Sequence, residues 1–149
     1  MNQPRKKTDI FSKRKRSEIM GSIKGRGTAF ENEFAKLLFM AGLEFRRNQK
    51  NLPGKPDIVI RKVKAVVFLD SCFWHGCKRH FKPPRTNVVF WKKKIKANVI
   101  RDERVTKGYK LTGWKIFRFW GHDVKTNPDR LVKKIIEYAE KQRAGDAKK

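Results

Sequence analysis

The sequence predicts an α/β chain of the α+β type, in which a central mixed β-sheet is flanked by helices. Ala65-Val66-Val67-Phe68-Leu69 is apolar throughout, as a strand buried on both faces requires. Apolar residues recur at helical spacing before and after that run, and an aromatic strand pattern, Trp114 to Trp120, follows the second helical stretch. Strands interleaved with helices pack most economically as one covered sheet.

Taken in order, residues 1–16 are polar with a basic run, Lys13-Arg14-Lys15-Arg16, and are expected to form a flexible arm. Residues 17–142 form a single domain and residues 143–149 a basic tail. Ser17 to Lys24 suits a short helix, broken at Gly25-Arg26-Gly27. Thr28-Ala29-Phe30-Glu31 is a capping box that opens a helix whose apolar face is Phe30, Phe34, Leu37, Leu38 and Ala41, ending at Gly42. Leu43 to Arg47 reads as a strand, the Pro and Gly chemistry of residues 51–56 as a turn, and Asp57 to Ile60 as a second strand. The apolar run Ala65–Leu69 is then the central strand, and Asp70 to Pro84 an irregular segment rich in Cys, His and Pro. From Asn87 to Leu111, Trp91, Ile95, Val99, Asp102, Val105 and Tyr109 recur at steps of four and three, giving a long helix that ends near Gly113. Asn127-Pro128 starts a last helix through Leu131, Ile135, Tyr138 and Ala139, expected to fray after Gln142.

Charge points to the partner. The 149 residues hold 39 Lys plus Arg against 14 Asp plus Glu, a formal charge of +25. Eleven Phe and four Trp argue against a chain that stays unfolded. Such an excess of positive charge opposes compaction unless a polyanion neutralises it, which favours nucleic acid over membranes or acidic proteins. No apolar stretch approaches the ~18 residues of a membrane span, so a soluble, cytoplasmic protein is expected. In that setting Cys72 and Cys77 are expected as ligands or inert thiols and not as a disulfide.

Two constellations carry chemistry. Pro56 restricts the approach to Asp57, which opens a strand, Asp70 follows the central strand, and Glu31 sits in the first turn of a helix. Each has an ordinary explanation, as turn, strand end and cap; together they are carboxylates at element ends that can converge on a divalent cation. Cys72-x4-Cys77-x2-His80, with His122 further along, offers two sulfurs and two imidazoles, a donor set suited to tetrahedral zinc. That assignment leaves His75 as a candidate general base; His75 in the zinc set in place of His80 is the alternative. Phe73, Trp74 and Trp91 suit either a small core or wedges that unstack a base step.

With these residues collected, the sequence resembles the very-short-patch repair (Vsr) endonucleases, a branch of the PD-(D/E)xK nucleases, from about Arg16 to Asp123. The resemblance is carried by Arg16-Ser17-x-x-Met20, Thr28-x-x-Glu31, Pro53-Gly54-Lys55-Pro56-Asp57, Cys72-Phe73-Trp74-His75-Gly76-Cys77, Phe90-Trp91-x-x-Lys94 and Asn98-x-x-Arg101-Asp102. It implies a restriction-endonuclease-like core with a zinc-stabilised loop, and a Mg²⁺-dependent enzyme that nicks double-stranded DNA beside a T·G mismatch. On the matching positions, Asp57 and the main-chain carbonyl of Leu69 would hold Mg²⁺, and His75 would activate water. Asp70, Glu31, Asn98 and Asp102 would support the site. Phe73, Trp74 and Trp91 would wedge in from the major groove and Met20 from the minor groove, with Lys94 also on DNA. Zn²⁺ on Cys72, Cys77, His80 and His122 would be structural. A monomer acting ahead of downstream repair proteins is expected.

Departures from the family pattern are specific. Cys72 occupies the usual superfamily lysine position two residues past Asp70, Asp70 stands where the best-known pattern has His, His122 replaces a cysteine and Gly121 a common Glu. The rival readings are a nickase of other DNA substrates and a non-catalytic, zinc-stabilised nucleic-acid-binding protein.

Overall fold

Apolar spacing from Phe30 to Leu38 builds helix α1 (Ala29–Met40) of the computed structural model, which buries Phe34, Ala35 and Leu38. The structure describes residues 29–148 together with Arg14. The expected helix Ser17–Lys24, Thr28 of the capping box, Met20 and, Arg14 apart, the arm lie outside the described residues.

Four strands follow in a single sheet of order β1-β2-β3-β4: β1 (Arg46–Arg47), β2 (Ile58–Ile60), β3 (Ala65–Asp70) and β4 (Lys115–Trp120). The first two pairings are antiparallel and β3 pairs with β4 in parallel, from Ala65 opposite Lys115 to Asp70 opposite Trp120. A parallel neighbour requires a crossover. That crossover is the long helix α2 (Val88–Leu111), preceded by the Cys/His loop.

All six residues of β3 are buried. One face of the sheet packs on α1 and the C-terminal helix α4 (Pro128–Ala147) through Phe34, Leu38, Ile58, Val67, Phe119 and Ile135. The other packs on α2 through Val59, Val66, Phe68 and Tyr109, with Val105 and Ile116 beside them. In β4 the alternation is plain, since Phe117 and Phe119 join the first core while Ile116 joins the second. Tyr109 also donates its hydroxyl to the Pro53 carbonyl at 2.7 Å, tying α2 to the turn before Asp57. In that turn Gly54 has φ of +70°, and a Cβ there would lie 2.6 Å from a Val105 methyl, so glycine answers both the backbone and the packing.

Several elements depart from expectation. The strand expected over Leu43–Arg47 shrinks to two residues, because Leu43 turns into the core instead of extending the ladder. A short helix, α3 (Gly121–Thr126), follows β4 directly and carries His122; six residues are too few for a helical period to register. The last helix continues to Ala147 instead of fraying after Gln142, as its Ala, Lys, Gln and Arg content allows. No helix of the described residues is long and apolar enough to cross a membrane.

Ile135 is fully buried in the first core and Phe39 is 74% exposed. Ile135→Ala is therefore expected to lower unfolding free energy by about 2–5 kcal/mol, and Phe39→Ala by no more than about 0.5 kcal/mol, as read by chemical denaturation.

Candidate active site and metal centre

β3 ends in a carboxylate, and charged side chains from β4, α2 and the following loop pair around that end. Asp57, one residue before β2, accepts the Leu69 N–H on its Oδ2 at 2.7 Å, while its own N–H donates to the Val67 carbonyl. The carboxylate is thus pinned against the backbone near the end of β3. Glu31 lies buried in the first turn of α1. A Cβ at Gly121 would lie 3.5 Å from the Phe30 ring and 3.6 Å from the Asp70 carbonyl oxygen, so that turn of α1 stands beside the end of β3.

Asp70 is 6% exposed, and Arg118 from β4 answers its charge. Arg118 Nη1 donates to both Asp70 oxygens, at 2.7 and 3.0 Å. Its Nε donates to Thr106 Oγ1 at 3.0 Å, and the guanidinium lies 4.3 Å from the Phe68 ring centroid.

His75 reaches the same place from the loop. Its Nδ1 lies 2.6 Å from Asp102 Oδ2 and 3.6 Å from Asp70 Oδ1. An ionised carboxylate only accepts, so Nδ1 carries the proton, and in the neutral ring Nε2 keeps the lone pair. Burial alone pushes the His75 pKa down, but the Asp102 hydrogen bond and the Asp70 and Asp102 charges outweigh it and hold the ring above its ordinary value, with Arg118 opposing them. Burial in turn pushes Asp102 up, yet the bond to His75 and the nearby cations carry it below its ordinary value. Asn98, one turn before Asp102 on α2, donates to the Trp74 carbonyl at 2.9 Å and so holds the loop next to His75. His75, Asp70, Asp102, Arg118 and Trp120 line a cleft of about 330 Å³ rimmed by Lys107 and Lys110.

A second cluster lies in the same loop. Ligand atoms of Cys72, Cys77, His80 and His122 all fall within 4.8 Å of one another. Cys72 Sγ is 3.2 Å and Cys77 Sγ 3.8 Å from His122 Nδ1, and His80 Nδ1 is 3.8 Å from Cys77 Sγ and 3.2 Å from His122 Nδ1. A tetrahedral ion bound at about 2.3 Å to sulfur and about 2.0 Å to nitrogen would separate its ligands by about 3.3–3.8 Å, so the set fits one ion. Asp123 Oδ1 lies 3.4 Å from His122 Nε2, the outer partner that a ligating imidazole commonly has. The structure groups His80, not His75, with the cysteines. Gly76, at φ +63°, makes the turn between the two clusters possible, since a Cβ would lie 2.8 Å from an Ile95 methyl.

The aromatics form one assembly at the start of α2. Phe73 sits 5.1 Å from Trp74 and 5.5 Å from Trp91, and Trp74 6.0 Å from Trp91, by ring centroids. Phe81 and Phe90 extend it, and Phe90 is 58% exposed. Lys94 is exposed one turn beyond Trp91. Sequence reasoning missed Arg118 and Thr106, and placed Phe90 in a motif without giving it a role. The partners of Arg118 are distant in sequence.

Sequence comparison finds relatives among known nucleases. The family model described as DNA mismatch endonuclease Vsr matches residues 8–80. A type II nicking enzyme of Neisseria meningitidis serogroup A, V.NmeAIP, is 39% identical over 137 residues, 86% of this chain and 96% of the relative. Another from serogroup C, V.NmeDIP, is 36% identical over 129 residues, covering 85% and 87% of the two chains. The DNA mismatch endonuclease Vsr of Escherichia coli is 40% identical over 113 residues, 75% of this chain and 72% of that one. The chain belongs to the Vsr family. Membership makes the chain a DNA endonuclease, and the residues gathered at the end of β3 are its candidate active site.

Cys72→Ser is expected to lose bound metal, measured by elemental analysis of purified protein, and to loosen the loop between residues 71 and 81 in hydrogen exchange. Wild-type protein that carries no metal would contradict the four-ligand site.

Proposed function

We propose that the chain is a Mg²⁺-dependent endonuclease that nicks double-stranded DNA beside a T·G mismatch. The observation that carries this reading is a continuous line of contacts at the end of β3: Asp57 to Leu69, then Asp70 beside His75, and His75 on Asp102. A metal carboxylate and an oriented imidazole brought together beside one strand end are what phosphodiester hydrolysis requires.

In this reading Asp57 and the Leu69 carbonyl hold Mg²⁺, a hard cation suited to oxygen donors. When bound, the ion supplies charge stabilisation at the phosphoryl oxygens and an oriented water. His75 takes the water proton on Nε2, and Asp102 fixes the ring and stabilises the cation that results. Glu31, Asp70 and Asn98 support these groups. Zn²⁺ on Cys72, Cys77, His80 and His122 holds the loop that presents both base and wedge. Phe73, Trp74 and Trp91 enter from the major groove and Met20 from the minor groove, and Lys94 contacts the backbone. A T·G wobble stacks less firmly than a matched pair, so wedging costs least there. The protein would work on cytoplasmic DNA as a monomer ahead of other repair proteins.

The test is strand nicking of a labelled duplex with one central T·G pair, beside its T·A control, in Mg²⁺. Wild type should nick the mismatched duplex alone, and Asp57→Ala should lose about 10²–10³-fold or more of that rate while still binding DNA. Equal nicking of both duplexes would discard mismatch specificity, and equal activity of the variant would remove Asp57 from the mechanism.

Affinity should follow salt steeply. If about six phosphates are neutralised, log K should fall with log salt at a slope of about −5, measured by fluorescence anisotropy. A slope near zero would contradict an interface led by phosphate contacts.

A further inference from the structure

We propose that Arg118 is a positioning residue for the nicking reaction: by holding Asp70 and facing the outer oxygen of Asp102 it keeps His75 on Asp102, with Nε2 turned to the water. The inference rests on the reading of His75 as the base.

Two carboxylates compete for His75 Nδ1. Asp102 Oδ2 has it at 2.6 Å and Asp70 Oδ1 stands 3.6 Å away. Both carboxylates border the same ring, so a small rotation would exchange one acceptor for the other. Such a rotation carries Nε2 away from its working direction.

Arg118 decides that competition. Its Nη1 engages both oxygens of Asp70, at 2.7 and 3.0 Å, so that this carboxylate is committed to the guanidinium. Its Nη2 lies 3.7 Å from Asp102 Oδ1, the oxygen that His75 does not use. Asp102 is therefore spanned, with imidazole on one oxygen and guanidinium facing the other. The guanidinium is itself fixed from three sides, by Asp70 on its own sheet, Thr106 on α2 and the Phe68 ring beneath it.

This explains a departure in the sequence. Asp70 stands where the best-known family pattern has His, and a buried carboxylate in that place would pull on His75 unless it were neutralised. In this chain β4 supplies the neutralising cation, directly from the neighbouring parallel strand. Arg118 does not need to touch DNA for this role, and its side chain is only 20% exposed.

Single-turnover nicking and DNA affinity on the T·G duplex, with melting temperature recorded for every variant, test the proposal. Arg118→Met should slow nicking by about 10–100-fold with affinity changed less than about twofold. Arg118→Lys should recover part of that loss, and Asp70→Asn combined with Arg118→Met should recover about tenfold, because the freed acceptor is then uncharged. A wild-type rate in Arg118→Met, a loss confined to affinity, or no recovery in the double variant would overturn the proposal. The double variant still reports if the single one is unstable. A further readout needs no activity: the His75 Nδ1–H proton resonance should be sharp and strongly downfield in wild type, as a single short bond to Asp102 gives, and shifted or exchange-broadened in Arg118→Met, where two acceptors share it. An unchanged resonance overturns the positioning role. Failure of wild type to nick, with the ring behaving as expected, would instead count against the reading of His75 as the base.

Discussion

A carboxylate ends a strand that is buried along its whole length, and the rest of the site answers that constraint. Asp70 cannot stay charged at 6% exposure without a partner. Arg118 supplies it from the adjacent strand, which is possible because β4 runs parallel to β3 and in register to its end. The crossover that a parallel neighbour demands is α2, and α2 brings Asp102, Asn98 and Thr106 down onto the same corner. One electrostatic requirement therefore joins two strands, a helix and a loop.

The two clusters of the loop depend on each other through Gly76. On one side His75 turns inward to the carboxylates; on the other, Cys77, His80 and His122 close around a common centre with Cys72. A loop of this length without regular structure has few means of holding shape, and a four-ligand ion is among the strongest of them. Phe73 and Trp74 stand next to His75 in the chain and pack with Trp91 of α2, so the proposed wedge and the proposed base share one loop. The net charge of +25 is a general attraction for polyanions, and in the proposed reading selectivity is left to the rings.

Much of the fold was legible because its signals are local. The apolar run of β3, the three- and four-residue steps of α2, and Asn127-Pro128 at the start of α4 each sit within a single element. Carboxylates at element ends and the Cys and His spacing were legible for the same reason. The two-residue β1 and six-residue α3 were not, since neither is long enough to display a period, and Leu43 is drawn off by the core. Spacing alone could not choose between His75 and His80 as the partner of the cysteines, because both lie within reach of Cys77 along the chain.

By itself, then, the sequence determined the elements, the charge that calls for a polyanion and the residue types fit for metal and proton chemistry, all of them properties of neighbours along the chain. Tertiary structure alone decided which of those residues meet. Asp102 lies 27 residues from His75, Arg118 48 from Asp70 and His122 50 from Cys72. Contacts at that separation are set by sheet register and helix packing, and no local pattern records them.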